Sequence, residues 1–577
     1  MLCFFFSTRG VNVNDVKGSM YEYIRIAAMR FSNLTACEFM GKKTTYRQLL
    51  SRIDDASDFF RAVGIRSGHC VTLCLPNCLT AVISIYALNK IGAVVSPIHP
   101  LSTPYEIKTY THISHSTYAI TLEQFQKQFQ SVFEQTDLKK IIVFSISDEM
   151  PFYLKFPYRL SKRIKRNGQS SERIPFINAN NFIHWHINKK QSKDTVMQSS
   201  DMNEKKTDKL AVILFSGGTT GTPKGVMLSN GNFNTLAQQI GERGKAVELG
   251  GKVLGILPIF HGYGLGVVVH SFLSWGSHII LVPKFTTDTI GRLFKRKKPA
   301  YFQTIPRLLE PLLKNKHFQK ADLSGFRKIN CGGDKLKDST LEELKTILKK
   351  KAPDAVFSEG YGLTETVSAC MAMPEKEYKK GSIGKPLPGM EAMIVMPGTE
   401  TEAATGQEGE ICVRGPNVMM GYMDDEVETT RVLRKHPDRK LWLHTGDLGC
   451  VDEEGFYYFK ERMKRIFKVS GMAVFPVQIE EVLNAHPLVV ESFVIGVPDT
   501  VRGQKIKAIV VLEEDHLMMD EMAIKAEILQ WCREKLIPWR CPGEIEIIGE
   551  MPKTKVGKVS FQSIRIKYGE THDEKNA

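Results

Sequence analysis

The segment Ser216-Gly-Gly-Thr-Thr-Gly-Thr-Pro-Lys-Gly225 constrains this chain more than any other. It places four hydroxyls, four glycines and one lysine in ten residues, directly after the apolar run Leu210–Phe215. A strand that empties into such a loop can wrap backbone N–H groups, hydroxyls and an ammonium around phosphate. The glycines permit close backbone approach and positive φ. Taken alone, the segment reads equally well as a flexible surface turn. It is not a Walker A loop, which needs Gly-Lys followed by Ser or Thr at the opening of a helix. Here Lys224 lies between Pro223 and Gly225, and Pro223 has no N–H to offer a phosphate.

The 577 residues are enough for several domains, and 42% hydrophobic with 24% charged residues is ordinary for a globular chain. The formal net charge of +15 suits a polyanionic ligand such as a nucleotide, or an acidic membrane surface. No regular stripe of basic and aromatic residues argues for nucleic acid. The eleven cysteines are scattered, which fits a reducing, cytoplasmic compartment. The tightest set, Cys70, Cys74 and Cys78, has Pro76 inside it and is expected to be buried thiols rather than a metal site. Met1–Phe6 is apolar but too short for a signal peptide. Val253–Pro283 lacks Asp, Glu, Lys and Arg, which raises a transmembrane reading. Pro258, three histidines and five glycines favour a buried core passage, so no transmembrane segment is expected.

Val71–Leu75 and Ala93–Ser96 read as strands around a helix over Asn77–Lys90 that ends at Gly92. That is a βαβ pattern, so the fold class is α/β. Gln191–Lys209 is polar and reads as an exposed loop. Near the C-terminus, strand-like runs at Val489–Val497, Lys507–Leu512 and Glu544–Ile548 flank a helical stretch around Ile524–Lys535. They predict a small separate α/β unit, with its boundary in the charged segment Lys460–Arg465.

Five further motifs follow the loop in order: Pro258-Ile-Phe-His-Gly-Tyr-Gly264, Ser358-Glu-Gly-Tyr-Gly-Leu-Thr-Glu365, His444-Thr-Gly-Asp447, Arg462-Met-Lys-Arg465 leading to Val469-Ser-Gly471 and Phe475-Pro-Val-Gln-Ile-Glu480, and Pro552-Lys-Thr-Lys-Val-Gly-Lys558. Singly each is weak, since such carboxylates, aromatics and lysines are common as caps, core or surface. Together they resemble the adenylate-forming superfamily of acyl-CoA synthetases, adenylation domains and luciferases. The resemblance runs from about Leu210 to Lys558 and is strongest to fatty-acyl and related AMP-dependent acid–CoA ligases.

The resemblance implies a fold and a reaction. The fold would be a large N-terminal domain, residues 1–463, of mixed β-sheets packed with helices plus a small β-barrel subdomain. A small mobile α/β C-terminal domain, residues 464–577, would follow. A carboxylate would attack the α-phosphorus of ATP, giving acyl-adenylate and pyrophosphate, and coenzyme A would then displace AMP. At about 4 Å two like charges repel by roughly 4 kcal/mol at an effective dielectric of about 20, so catalysis must rest on positioning and cationic neutralisation.

By motif match, Lys558 would bridge the carboxylate and the α-phosphate, Thr364 would bond the α-phosphate, and Glu365 would hold Mg²⁺. Ser216, Gly217, Gly218, Thr219, Thr220, Gly221, Thr222 and Lys224 would cradle the β- and γ-phosphates. Tyr361, flanked by Glu359, Gly360 and Gly362, would lie against adenine in a pocket lined by Gly332, Gly333 and Asp334. Asp447 would take the ribose hydroxyls and Arg462 the ribose or phosphate. Lys464 would be the hinge that withdraws Lys558 and brings the Ser470-Gly471 loop to the thiol tunnel. Glu461, Gln478, Asp334 and Phe561 depart from the usual pattern.

His261 stands where amino-acid-activating relatives carry aspartate, which favours a plain carboxylic acid. Gly262, Gly264 and Gly266 are expected to leave room for a linear chain, so a medium- or long-chain fatty acid is the favoured substrate, with aryl acids next. No carrier-protein signature follows Lys558, and a separate carrier protein is the alternative acceptor. Lys155–Arg166 carries basic groups beside apolar anchors and is a candidate peripheral membrane contact. A catalytically dead nucleotide-binding scaffold would have no need to keep Lys558, Glu365, Asp447 and Lys224 together. A serine hydrolase would need a Gly-x-Ser-x-Gly elbow that is not present. Monomer and homodimer are both compatible with the sequence.

Overall fold

The computed structural model describes residues 18–151, 153–155, 176–178, 206–216, 223–243, 247–284, 286–375, 377–470, 472–500, 502–513, 520–554 and 559–569. The expected βαβ unit forms from strand Cys70–Cys74, helix Leu79–Ile91 and strand Val94–Pro97, with the two strands parallel. Gly92 ends the helix at φ 85°, where its N–H reaches the carbonyls of Leu88 and Asn89. Only a glycine takes that left-handed position without penalty. Every residue of the helix except Lys90 is buried, so it needs cover on all sides. Helices Met20–Arg30 and Tyr46–Val63 pack against it. Its N-cap, Cys78, offers no capping hydrogen bond. Glu149 supplies one from elsewhere in the chain: its carboxylate accepts from the Leu79 N–H at 2.8 Å and from the Thr80 hydroxyl. Burial pushes the Glu149 carboxyl up to about 7 despite Arg52 and the backbone donors.

Three larger sheets carry the bulk of the molecule. The first runs Gly421–Tyr422, Lys224–Ser229, Leu210–Ser216, Val94–Pro97, Cys70–Cys74, Ser116–Leu122, Lys140–Phe144, Phe176–Asn178. Its middle is parallel, and the strands flanking the glycine-rich loop form an antiparallel hairpin towards one edge. The second has nine strands, with Val356–Tyr361, Lys328–Gly332, Tyr301–Thr304, Lys252–Gly255 and His278–Leu281 consecutive and parallel at its centre. Ligands of such sheets sit beyond the carboxyl ends of the strands. The third is a five-stranded antiparallel sheet of Glu391–Val395, Gly409–Arg414, Leu441–Val451, Leu433–Lys435 and Tyr457–Arg462, in the place expected of the small barrel.

The C-terminal elements include strands Val489–Asp499, Gly503–Leu512 and Glu544–Ile547 and helices Pro476–Asn484, Glu521–Lys535 and Phe561–Tyr568. They bury a core of their own, from Val469 to Ile545, distinct from the large core that ends at Tyr457. Val253–Pro283 resolves into two strands and the π-helix Tyr263–Ser271, and no helix among the described residues is long and apolar enough to cross a membrane. Cys70, Cys74 and Cys78 are buried free thiols. Of the basic stretch Lys155–Arg166 only Lys155 is described, paired with Asp148 at 3.7 Å, and the rest lies outside the described residues.

Candidate active site

The glycine-rich segment links strands Leu210–Ser216 and Lys224–Ser229, which pair antiparallel with Ser216 opposite Lys224. It does not open a helix, so the structure agrees with the rejection of a Walker A loop. Gly217, Gly218, Thr219, Thr220, Gly221 and Thr222 lie outside the described residues, as do Gly471 and Lys558. Lys224 is largely buried and pairs with Glu428, and its ammonium sits 5.1 Å from the centre of the Tyr422 ring. The Tyr422 hydroxyl donates to Glu365 Oε1 at 2.9 Å. One tyrosine therefore joins the lysine that follows the glycine-rich loop to the candidate metal carboxylate. Arg431 forks onto both oxygens of Glu428 at 2.5 and 2.6 Å. Arg431 first, then Lys224, lower the Glu428 carboxyl to about 2, so it is an anion at any working pH.

Strands Lys328–Gly332 and Val356–Tyr361 run parallel with Gly332 beside Gly360. Gly332, Gly333 and Asp334 thus leave the sheet beside the turn that holds Tyr361, Gly362, Thr364 and Glu365. A Cβ on Gly332 would stand 3.1 Å from the Gly360 carbonyl, which keeps that approach to small residues. The Tyr361 hydroxyl donates to Asp447 Oδ2 at 2.6 Å, and Arg462 Nε lies 2.8 Å from Asp447 Oδ1. Asp447 and Arg462 are cross-strand partners on Leu441–Val451 and Tyr457–Arg462. Asp447 is fully buried while Arg462 keeps about half its side chain, 47%, in solvent. Burial, then the Asp447 carboxylate, holds the Tyr361 phenol well above its usual range. Partial burial works against the Arg462 charge, but Asp447 and the nearby Glu365 more than offset it and raise its pKa. Tyr361, Asp447, Arg462 and Glu365 therefore form one electrostatic unit. Glu359 is engaged by Tyr378, whose hydroxyl donates to its carboxylate at 2.7 Å.

The glycines after His261 correct one expectation. A Cβ on Gly262 would strike the Val367 carbonyl, one on Gly264 the Pro258 carbonyl, and one on Gly266 the Val367 side chain at 2.7 Å. These glycines close a joint rather than leave a space. They seat the π-helix against the turn at Thr364–Thr366. Val367 itself sits at φ 62°, ψ −53°, a γ-turn geometry that costs a β-branched residue about 1–3 kcal/mol. The tight glycine joint holds it there. His261 stands at the start of this helix, where its Nδ1 accepts the Tyr263 N–H at 3.2 Å.

Lys464 occupies a short 3₁₀ turn, Met463–Arg465. Burial, then Arg431 and Lys224, lower its pKa, so the expected hinge residue feels the charge of Lys224. Glu461, one of the sequence departures, is 2% exposed and accepts the Val477 N–H at 2.9 Å and the Arg462 N–H at 2.8 Å. Val477 lies in the first turn of helix Pro476–Asn484, where N–H groups lack intrahelical partners. Arg465 pairs with both Glu461 and Glu480, and Glu480 also accepts the Val494 N–H at 2.7 Å. Glu461 thus ties the last strand of the large unit to the first helix of the small one. Gln478, a second departure, accepts from Arg540 at 2.9 Å. Ser470 is on the small unit at φ 49°, its N–H donating to the Arg502 carbonyl at 2.9 Å.

Sequence reasoning missed Glu428, Arg431 and Tyr422 and read Glu461 only as an anomaly. A local signal existed for the first: Asp425 caps helix Glu426–Val432 by accepting the Glu428 N–H, an Asp-x-x-Glu pattern. Its partner Lys224 is 204 positions away, so no pattern in the chain announces the pairing.

Residues 24–423 match the AMP-binding enzyme family and residues 478–558 match the AMP-binding enzyme C-terminal domain. The chain is 32% identical over 548 residues to a long-chain-fatty-acid–CoA ligase of Bacillus subtilis, covering 95% of this chain and 94% of that one. Among solved structures it resembles the ATP-bound MatB of Rhodopseudomonas palustris, with a TM-score of 0.78 at 24% identity, covering 97% and 99% of the two chains. It also resembles the anthranilate CoA ligase AuaEII with anthranoyl-AMP, with a TM-score of 0.78 at 22% identity over 96% and 98%. With the Tyr361–Asp447–Arg462 unit and the Lys224 hairpin in place, the chain belongs to the AMP-binding enzyme family and is an AMP-forming acid–CoA ligase.

Proposed function

We propose that the acid is a medium- or long-chain fatty acid, and that the residues assembled above divide its activation between a fixed pocket and a moving domain. The observation that carries the substrate class is the likeness to a fatty-acid ligase along nearly the whole chain. His261 in place of a carboxylate supports a substrate without an ammonium group.

In the first step a carboxylate oxygen attacks the α-phosphorus and the bond to the pyrophosphate oxygen breaks. Lys558 neutralises the two approaching anions, Thr364 bonds the α-phosphate, and Lys224 leaves Glu428 for the departing phosphates. Asp447 accepts from the ribose hydroxyls, with Tyr361 and Arg462 fixing its orientation. Glu365 fits a hard cation: one oxygen accepts from Tyr422, and the other takes no hydrogen bond among the described residues. Magnesium held there would neutralise phosphate charge.

In the second step the coenzyme A thiol attacks the acyl carbonyl and AMP leaves. Residues 464–577 rotate about Lys464 between the two steps, withdrawing Lys558 and presenting the Ser470-Gly471 loop. The described cysteines are free thiols, which supports a cytoplasmic setting.

A panel of fatty, aryl and amino acids, scored for AMP release with coenzyme A, with a carrier protein and with neither, tests this reading. Saturated chains of medium to long length should give the highest kcat/KM, with release dependent on coenzyme A. A preference for aryl acids, or for a carrier protein, would contradict it.

A further inference from the structure

On the small antiparallel sheet, away from the reacting groups, three metal-ligating side chains meet in the interior. Cys412 on strand Gly409–Arg414 is the direct cross-strand partner of His444 on strand Leu441–Val451. His436 follows strand Leu433–Lys435, in the turn that leads back into Leu441–Val451, where its N–H and carbonyl bond Lys440 and Arg439. The ligand atoms of all three lie within 4.8 Å of one another. Cys412 is 0%, His444 4% and His436 5% exposed. We propose that Cys412, His436 and His444 supply three ligands of a site for a borderline-soft divalent transition ion, with zinc as the fitting member and a water completing the tetrahedron.

The donor set and the spacing carry this. One thiolate and two imidazoles are zinc's ligand types, and they discriminate against magnesium and calcium. At tetrahedral angles, zinc–nitrogen bonds of about 2.0–2.1 Å set two nitrogens about 3.3 Å apart, and a thiolate sulfur about 3.6 Å from each. The His436 and His444 Nε2 atoms are 2.9 Å apart, so a few tenths of an ångström of opening admits the ion. His444 already has the outer support that zinc ligands use. Its Nδ1 bonds Glu410 Oε2 at 2.8 Å, which turns the Nε2 lone pair towards the cluster. Val395, Trp442 and Met393 form an apolar wall beside Cys412, and His436 packs on Trp442 at 5.7 Å between ring centres. The thiolate and the Glu410 carboxylate balance the two positive charges. On binding, Cys412 gives up its proton to solvent, His436 carries its proton on Nδ1 instead of Nε2, and the Nε2–Nε2 hydrogen bond to His444 is exchanged for two metal–nitrogen bonds.

The site connects to the nucleotide pocket through a short path. Glu410 also accepts the Gly446 N–H at 2.9 Å, so it holds the bulged turn within strand Leu441–Val451 at His444 and Gly446, next to Asp447. Without an ion the same nitrogens satisfy each other, so the apo protein folds and can be titrated. The ion is a brace for that turn and takes no part in the acyl transfer.

The test uses the full chain, purified without a histidine tag and stripped with a chelator. Titrated with Zn²⁺ against a chromophoric chelator, the wild type should take up about one equivalent and melt at a higher temperature. Co²⁺ should give a thiolate-to-cobalt charge-transfer band with tetrahedral d–d intensity. Cys412→Ser should lose the band, and His436→Gln should lose more affinity than the ~10–100-fold typical of removing an outer-shell partner. Cys450→Ser, another sheet cysteine, should leave both unchanged. No zinc uptake by the wild type, a cobalt spectrum without a thiolate band, or full affinity in either ligand variant would overturn the site. Should a variant fail to fold, the wild-type cobalt spectrum decides alone.

Discussion

The nucleotide pocket and the joint to the C-terminal unit are held together by different physics. In the pocket, Asp447, Tyr361 and Arg462 come from neighbouring strands of two sheets, and the central carboxylate is fully buried. Where the C-terminal unit rests on the large one, the visible ties include Lys335 to Glu481 at 2.6 Å, with side chains 70% and 55% exposed, and Lys337 to the Val490 carbonyl at 3.3 Å. Exposed pairs of that kind contribute about 0–1 kcal/mol. The exception is Glu461, whose buried bonds to Val477 and Arg465 cross the joint. The pocket rests on buried bonds, and the joint rests on exposed pairs and a few specific buried bonds.

The largest effect expected in the pocket is from Asp447→Ala, which leaves the Arg462 guanidinium and the Tyr361 hydroxyl without their partner. Losing a buried, hydrogen-bonded charge costs about 3–5 kcal/mol, so kcat/KM for ATP should fall at least a hundredfold. Asp447→Ala with ATP kinetics close to wild type would remove Asp447 from the site. At the joint, Lys464→Pro should impair thioester formation from supplied acyl-adenylate far more than pyrophosphate exchange. Equal slowing of the two half-reactions would break the contrast between fixed and moving parts. Glu461→Gly deletes the cross-joint cap, worth about 1–2 kcal/mol. It should shift the small unit away from its present seat, raising amide exchange in helix Pro476–Asn484 while the exchange of Leu441–Val451 holds steady. Unchanged exchange in that helix would mean the bond to Val477 contributes nothing.

Acid probes the large region separately. Burial lowers the His270 ring to about 3 and the His278 ring to about 4. The unfolded chain binds these protons near pH 6.5 and the folded one does not. Stability is therefore intact above pH 6.5 and falls as pH drops towards those values, by ~1.4 kcal/mol per pH unit per histidine at most. Glu149, raised to about 7, opposes this, because its folded form favours the proton as pH falls through that same window. Wild type should lose net stability between pH 7 and 5, measured by denaturant melts, and His270→Gln should lose less. The smallest effect belongs to Lys335→Met, expected within about 1 kcal/mol in stability and near wild-type turnover.

The two regions also differ in how much the sequence revealed. The βαβ strands and helix, and the C-terminal strands, fell within a few residues of their expected bounds, because their apolar runs and the Gly92 stop are local signals. Motif order placed Tyr361, Asp447 and Arg462, and the fold brought them into contact. The pairs that hold those residues were not legible. Tyr422 reaches Glu365 across 57 positions and Lys224 reaches Glu428 across 204, and nothing in either neighbourhood encodes the meeting. Gly262, Gly264 and Gly266 misled for the same reason: absence of a side chain reads as space until the Val367 and Pro258 carbonyls are seen filling it. Cys412, His436 and His444 show no ligand spacing along the chain, because strand pairing and a hairpin turn create their proximity.

In the proposed mechanism a lysine on a moving domain completes a pocket that is otherwise fixed. Lys558→Ala, assayed for carboxylate-dependent exchange of labelled pyrophosphate into ATP and, separately, for conversion of supplied acyl-adenylate and coenzyme A to thioester, tests it most directly. Exchange should collapse by about a hundredfold or more while thioester formation keeps most of its rate. Equal loss in both half-reactions, or exchange that survives intact, would contradict it.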